Sequence, residues 1–305
     1  MNVPLEPDDG FIGRECPIAT CETYFKIMPG TGIEGSAICY CPYCGHWDEH
    51  EQFPTKDQVE YAQSVALNRF SNKLSRRLRR HEFRNKPIGG LLNISMKVTG
   101  RPHPIEYYRE KLLETEVTCR DCTLRYAVYG VFAFCPDCGA HNSIQMLDKN
   151  LELATKQVAL AASVEAELAE YLINDALENE VAAFDGFGRK ICLVHAAKAS
   201  APAKAEKLSF QNLPRAQEQV RKLFGFDLTS AVTPDEWATA SRCFQKRHLL
   251  AHKMGVVDYT YVKETGDTQA VVGRKIRITA TEVEELAEIL RRIGSHLTMH
   301  LNNLA

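Results

Sequence analysis

The spacing of apolar residues divides the chain into two regimes. Through residue 147 they fall mostly in short runs broken by glycine, proline and cysteine pairs; beyond it they return every third or fourth position. One early stretch is also periodic: Val59, Ala62, Ala66, Phe70, Leu74 and Leu78 predict a single helix with one apolar stripe over 55–84. Residues 91–99 read as a strand and 104–114 as a short helix. The alternation of Tyr126, Val128, Val131, Phe132 and Phe134 predicts a hairpin within 123–134. Leu151, Ala154, Val158, Ala161, Leu168 and Leu172 predict one long helix over 147–184, and the Ala/Lys-rich run 196–207 reads as a flexible joining loop. Thr233 and Glu236 form a capping box for a helix that runs to about residue 253 and stops before Gly255. Residues 256–278 read as irregular or strand-like, broken at Thr265-Gly266-Asp267. A last helix starts at Thr279 or Thr281, with Val283, Leu286, Ile289, Leu290, Ile293 and Leu297 as its core stripe. The fold class is mainly α with small β modules.

Eight of the eleven cysteines identify those modules. Cys16-x4-Cys21 is followed by Cys41-x2-Cys44, and Cys119-x2-Cys122 by Cys135-x2-Cys138. Two short cysteine pairs supply the four thiolates of a structural zinc ion, so two zinc ribbons and two structural Zn²⁺ are expected, each with a complete ligand set and no open position. Because the first pair is wide, Cys39 is an alternative ligand in place of Cys16 or Cys21, and so is His46; Cys39 reads better as a small buried strand residue. Cys192 and Cys243 read as small core residues. The acidic start of the chain does not resemble an export signal and no apolar run reaches membrane-spanning length, so a cytoplasmic protein without a membrane contact is expected, where paired cysteines bind metal rather than oxidise.

A net charge of -2 excludes polyanion binding by bulk charge, so any nucleic-acid surface is local. The best candidate lies in 73–86, with seven Lys/Arg against Glu82 alone. On a helix Lys73, Arg76, Arg77, Arg80 and Arg84 share a face, as in a patch that tracks phosphates. In contrast, no Lys or Arg occurs between Gln157 and Gly188, where seven acids occur; that surface suits a protein partner or plain solvation.

Candidate chemistry lies at Arg247-His248-Leu249-Leu250-Ala251-His252. An arginine and a histidine can cleave RNA together, the imidazole moving protons and the guanidinium stabilising charge on phosphate. Arg247 and His252 stand about 140° apart on an ideal helix, so they converge only if the arginine reaches across or a second chain completes the site. As a metal site the segment is incomplete: His248 and His252 share a face, but no third ligand is near. In a purely structural role Arg247 would pair with Glu178 or Asp185. An active cleft should instead put Lys246, Arg247 and Lys253 together on a solvent-reachable surface.

The Arg-x4-His segment, with Gly255-Val-Val-Asp258, Tyr261 to Asp267 and Val272-Gly273 after it, resembles the HEPN superfamily of helical-bundle domains over about 148–305. The resemblance implies a homodimer whose two motifs face one another across an RNA-cleaving cleft, with Arg247 and His252 catalytic and His248 orienting or contacting phosphate. Other members have lost activity and only bind. The expected organisation is a first ribbon over 10–56, a basic helix and connector over 57–116, a second ribbon over 117–147, and a HEPN-like helical domain over 148–305. The expected function is a metal-independent endoribonuclease of toxin or defence type, with RNA and possibly a protein as partners. The alternative is a non-enzymatic adaptor that binds nucleic acid or protein and dimerises through its helical domain.

Overall fold

The computed structural model describes residues 10–88, 92–113 and 115–304; side chains at 83–95 are outside the description. Residues 1–9, Leu91 and Glu114, on which expectations about the chain start, the strand and the short helix partly rest, lie outside it too. Two compact units appear, one ending at His141 and the next starting at Asn142. The whole is mainly helical with small antiparallel sheets. No helix among the described residues is long and apolar enough to cross a membrane.

The first unit is built on one antiparallel sheet that draws on both cysteine-rich segments. Strands β1 (Ile12–Glu15), β2 (Tyr24–Ile27), β7 (Thr115–Thr118) and β8 (Arg125–Val128) join in the order β1-β2-β8-β7, while β3 (Ile38–Tyr40) and β4 (Trp47–Glu49) form a separate hairpin. The β2–β8 seam pairs Lys26 with Ala127 and Ile27 with Tyr126. Phe25, Ile27, Val117, Leu124, Tyr126 and Val128 form one buried cluster with cysteines from both groups. The hairpin expected within 123–134 is therefore corrected. Residues 125–128 pair backward, with β7 and across to β2, because burying Tyr126 and Val128 requires the neighbouring strands' side chains.

Helix α1 (Lys56–Arg79) begins at a Thr55–Gln58 capping box and ends five residues earlier than expected, so Arg84 falls in strand β5 (Phe83–Ile88), paired with β6 (Leu92–Met96). Its apolar stripe does not face a core: Phe70 is 65% exposed and Leu74 45%. The inward face is polar. Ser64 and Ser71 hydroxyls accept from the backbone N–H groups of Glu106 and His103, and the Asn68 amide donates to the His103 carbonyl. Residues 101–113 form no helix: the backbone groups of His103 and Glu106 bond to α1, and the Lys111 N–H bonds to the Tyr24 hydroxyl on β2.

In the second unit the single long helix expected over 147–184 is two, α2 (Ser143–Ala161) and α3 (Ala166–Val194). Ser163 ends the first: its N–H and hydroxyl both bond the Leu160 carbonyl, and Glu165 turns extended. The chain folds back, and Gln157 donates to Asp175 at 2.7 Å across the hairpin. Residues 196–207 are not a flexible loop. They hold a short helix, α4 (Pro202–Ala205), and Ala199 and Ala205 are buried in the core. There follow α5 (Leu213–Phe224), α6 (Pro234–Lys253), α7 (Tyr259–Thr265) and α8 (Ala280–Asn302). The capping box of α6 at Thr233 forms as the sequence predicts; α8 starts from Thr279, which makes a further capping box with Glu282, and all six residues of the α8 stripe are buried. Helix α7 replaces the irregular run expected there, capped by the Asp258 carboxylate and stopped at Gly266.

One buried group opposes this core. Among the described residues both carboxylate oxygens of Glu180 on α3 are buried without a hydrogen-bond partner, and burial pushes its pKa up to about 9 against the opposing pull of Arg291. Between the ordinary carboxylate value and about 9 the folded chain keeps a proton that the unfolded chain has lost, so stability falls as pH rises through that window. Glu180→Gln is expected to melt above wild type at pH 8, the gap shrinking toward pH 5 with a slope of at most about 1.4 kcal/mol per pH unit. A gap that is independent of pH in thermal melts would contradict the assignment.

Candidate functional site

Cys16, Cys21, Cys41 and Cys44 gather in one group and Cys119, Cys122, Cys135 and Cys138 in another, all four sulfurs of each lying within 4.8 Å of one another. Cys16–Cys44 and Cys21–Cys41 sulfurs are 3.7 Å apart; Cys119–Cys138 are 3.6 Å apart and Cys122–Cys135 3.4 Å. A disulfide requires about 2.05 Å. Sulfurs at about 2.3 Å from a central ion in a tetrahedron stand about 3.8 Å from each other, which these separations approach. Each group could hold a metal ion with protein ligands alone. Burial is the largest of the influences that push the Cys16 thiol up to about 11 and Cys122 up to about 12, so a bound cation is what would draw those protons off.

The four knuckles share one backbone device. The residue after each second cysteine is left-handed: Glu22, Gly45, Thr123 and Gly139 have φ of +40°, +72°, +64° and +69°. The N–H of Gly45, Thr123 and Gly139 bonds the carbonyl of the first cysteine of its pair, whereas Glu22 bonds Ile18, two residues beyond Cys16. The wide pair is thus an ordinary knuckle lengthened by two residues. Its glycine-free turn, and that at Thr123, escaped a reading keyed to glycine; the common offset after the second cysteine was the available signal. Cys39 is outside the group, buried on β3, and His46 lies tilted against Phe53 with ring centroids 6.4 Å apart, so neither replaces a ligand. The groups are tied to each other: Tyr40 N–H bonds the Pro136 carbonyl at 2.7 Å and Phe134 N–H the Pro42 carbonyl at 2.8 Å, next to Cys41 and Cys135.

Lys73, Arg76 and Arg77 on α1 and Arg80 at its C-cap are exposed, and none forms an ion pair among the described residues. They lie beside the exposed Phe70, Leu74 and Leu78. Arg84 does not continue this helical face, and its side chain is outside the description.

At the C-terminal end of α6, His248 and His252 are brought together, ring centroids 4.7 Å apart, both exposed. They line a cleft of about 710 Å³ with Lys207, Asn212, Arg215, Lys253 and Tyr261. Left-handed Met254 (φ +52°) turns the chain out of the helix beneath it. Gln245 donates to Glu264 at 2.9 Å along the wall. Tyr261 is buried; burial and the bond from its hydroxyl to Asp267 raise its pKa. The contributions from 207–215 and Tyr261 were not visible in the sequence, since neither segment has a ligand-like spacing.

Arg247 does not line this cleft. Among the described residues its Nε is buried without a hydrogen-bond partner, and it pairs with neither Glu178 nor Asp185. Asp185 instead takes Arg189, the Ser209 hydroxyl and the Phe210 N–H. Lys246 does not share a surface with Lys253: it is buried, bonded to Glu282 at 2.6 Å and to the Arg277 carbonyl at 2.9 Å. The reason is helical phase, since Lys246 and Arg247 leave α6 on sides other than the one carrying His248 and His252.

No family model, curated protein or solved structure matches this chain.

Elemental analysis of the purified protein is expected to find two metal ions per chain, and Cys39→Ala or His46→Ala to leave that number unchanged. A lower number in Cys39→Ala, with the fold retained by circular dichroism, would reinstate Cys39 as a ligand.

Proposed function

We propose that the chain is an endoribonuclease of HEPN type whose helical unit cuts RNA and whose cysteine groups hold structural zinc. The observation that carries this reading is the His248–His252 pair on a polar, cation-bearing cleft. One imidazole takes the proton of a 2′-hydroxyl as its oxygen bonds to the adjacent phosphorus. The other gives a proton to the 5′-oxygen as the phosphorus–oxygen bond breaks, leaving a 2′,3′-cyclic phosphate. Arg215, on the cleft wall, supplies one guanidinium able to stabilise charge on the phosphate. Because Arg247 stands outside the cleft of its own chain, the reading places the Arg247 of a second copy there, in a homodimer. The exposed cations of α1 are assigned to RNA backbone contacts, and zinc is assigned to the cysteine groups because all-thiolate tetrahedra suit it. A cytoplasmic, reducing setting keeps those thiols available.

One observation favours the adaptor instead: Lys246 is locked into an ion pair and absent from the cleft. Incubation with total RNA and tRNA, EDTA being present only during the assay, separates the two. Wild type is expected to leave 2′,3′-cyclic ends, and His252→Ala or Arg247→Ala to lower cleavage by at least about a hundredfold with the fold intact. Cleavage retained in both variants ends the catalytic assignment; RNA bound but uncut by wild type supports the adaptor.

A further inference from the structure

Two exposed apolar stripes lie on helices of opposite charge. On α1, Leu67, Phe70, Leu74 and Leu78 recur at three- and four-residue spacing, and all four are exposed. Lys73, Arg77 and Arg80 flank that stripe on one side; Ser64, Asn68 and Ser71, which hold the backbone of His103 and Glu106, flank it on the other. The second stripe is on the hairpin of α2 and α3. Every residue from 166 to 175 is exposed or half-buried, so this end of α3 reaches beyond the core. The bond from Gln157 to Asp175, at 2.7 Å, marks the outer seam of the hairpin. Leu153 and Leu160 stand four before and three after Gln157; Leu168 and Tyr171 stand seven and four before Asp175. All four therefore line the seam on one face, and all four are exposed. The charge beside them is negative. Glu167 and Glu170 flank Tyr171, Glu178 follows on the same side of α3, and Lys156 is paired with Glu152.

An apolar patch left open between acids marks an interaction surface. It repels nucleic acid and anionic lipid, and it suits a basic amphipathic helix laid along it. Helix α1 has that chemistry and that length: Leu67 to Leu78 spans about 16 Å and Leu168 to Glu178 about 15 Å. We propose that α1 of one copy docks on the acidic α2–α3 face of a second copy, stripe on stripe, with Lys73, Arg77 and Arg80 set against Glu167, Glu170 and Glu178. Each chain carries both faces, so a two-fold pair makes the contact twice and leaves neither stripe in water. The contact stands whether or not the histidine cleft cuts RNA, and Arg76, further round α1, stays open to RNA.

Sedimentation of the full chain, freed of nucleic acid, tests this over a range of protein concentration. Wild type is expected to be dimeric and to dissociate as salt rises. Lys73→Glu/Arg77→Glu and, separately, Glu167→Lys/Glu170→Lys should each weaken the dimer by about tenfold or more, with circular dichroism unchanged. Mixed together, the two variants regain the charge match and should pair again, which neither a dimer held elsewhere nor an unfolded variant would do. Phe70→Ser serves as an independent variant should charge reversal disturb the fold, and it should weaken the dimer likewise. Dimers untouched by these changes, or mixed variants that stay apart, overturn the proposal. So does a monomeric wild type; its co-sedimentation with phosphatidylserine vesicles would assign α1 to a lipid surface instead.

Discussion

Four sulfurs within 4.8 Å of one another, twice over, set the terms for the first unit. Clusters of ionisable thiols are unfavourable in a buried site until a cation joins them. Their gathering fixes four knuckles, and the knuckles fix where strands begin: the first knuckle of each group sits in a hairpin turn, β1–β2 or β7–β8. The seam β2–β8 then joins the hairpins, and two backbone hydrogen bonds join the second knuckles at Tyr40–Pro136 and Phe134–Pro42. The apolar residues of the unit form one small cluster that includes cysteines of both groups. Neither group has a core of its own, so each depends on the other for burial of its strands.

The helical unit follows a different logic. Its core is apolar and continuous, and its chemistry arises where α6 exposes what the core does not use. Cys243, Phe244 and Leu249 face inward, His248 and His252 line one cleft, and Arg242 and Lys246 line another. One helix thereby separates a histidine pair from a cationic cavity, and leaves Arg247 in neither. That separation, set by helical phase, is why the proposed reaction draws Arg247 from a second copy.

How much of this was legible depends on range. Metal ligands are a local pattern of residue type and spacing, and all eight cysteines fall as their spacing predicts. The capping box at Thr233 and the helix start at Thr279 are equally local and hold. The β2–β8 seam joins residues about a hundred positions apart, and no local pattern encodes it. Periodicity identified α1 but not its orientation, because Ser64, Asn68 and Ser71 satisfy a neighbouring backbone and turn the apolar stripe outward. The break between α2 and α3 has neither glycine nor proline, only Ser163 bonding backward. Helix α7 has its signals in the sequence, Asp258 before it and Gly266 after, but a seven-residue run is too short for periodicity to mark it as a helix.

The claim that the two cysteine groups form one structure is tested most directly by chelator titration of the intact protein, following metal release with a chromogenic chelator and sheet structure by circular dichroism. Both ions are predicted to leave in a single transition that also removes the sheet signal. Two separate releases, the first leaving the sheet intact, would contradict the account.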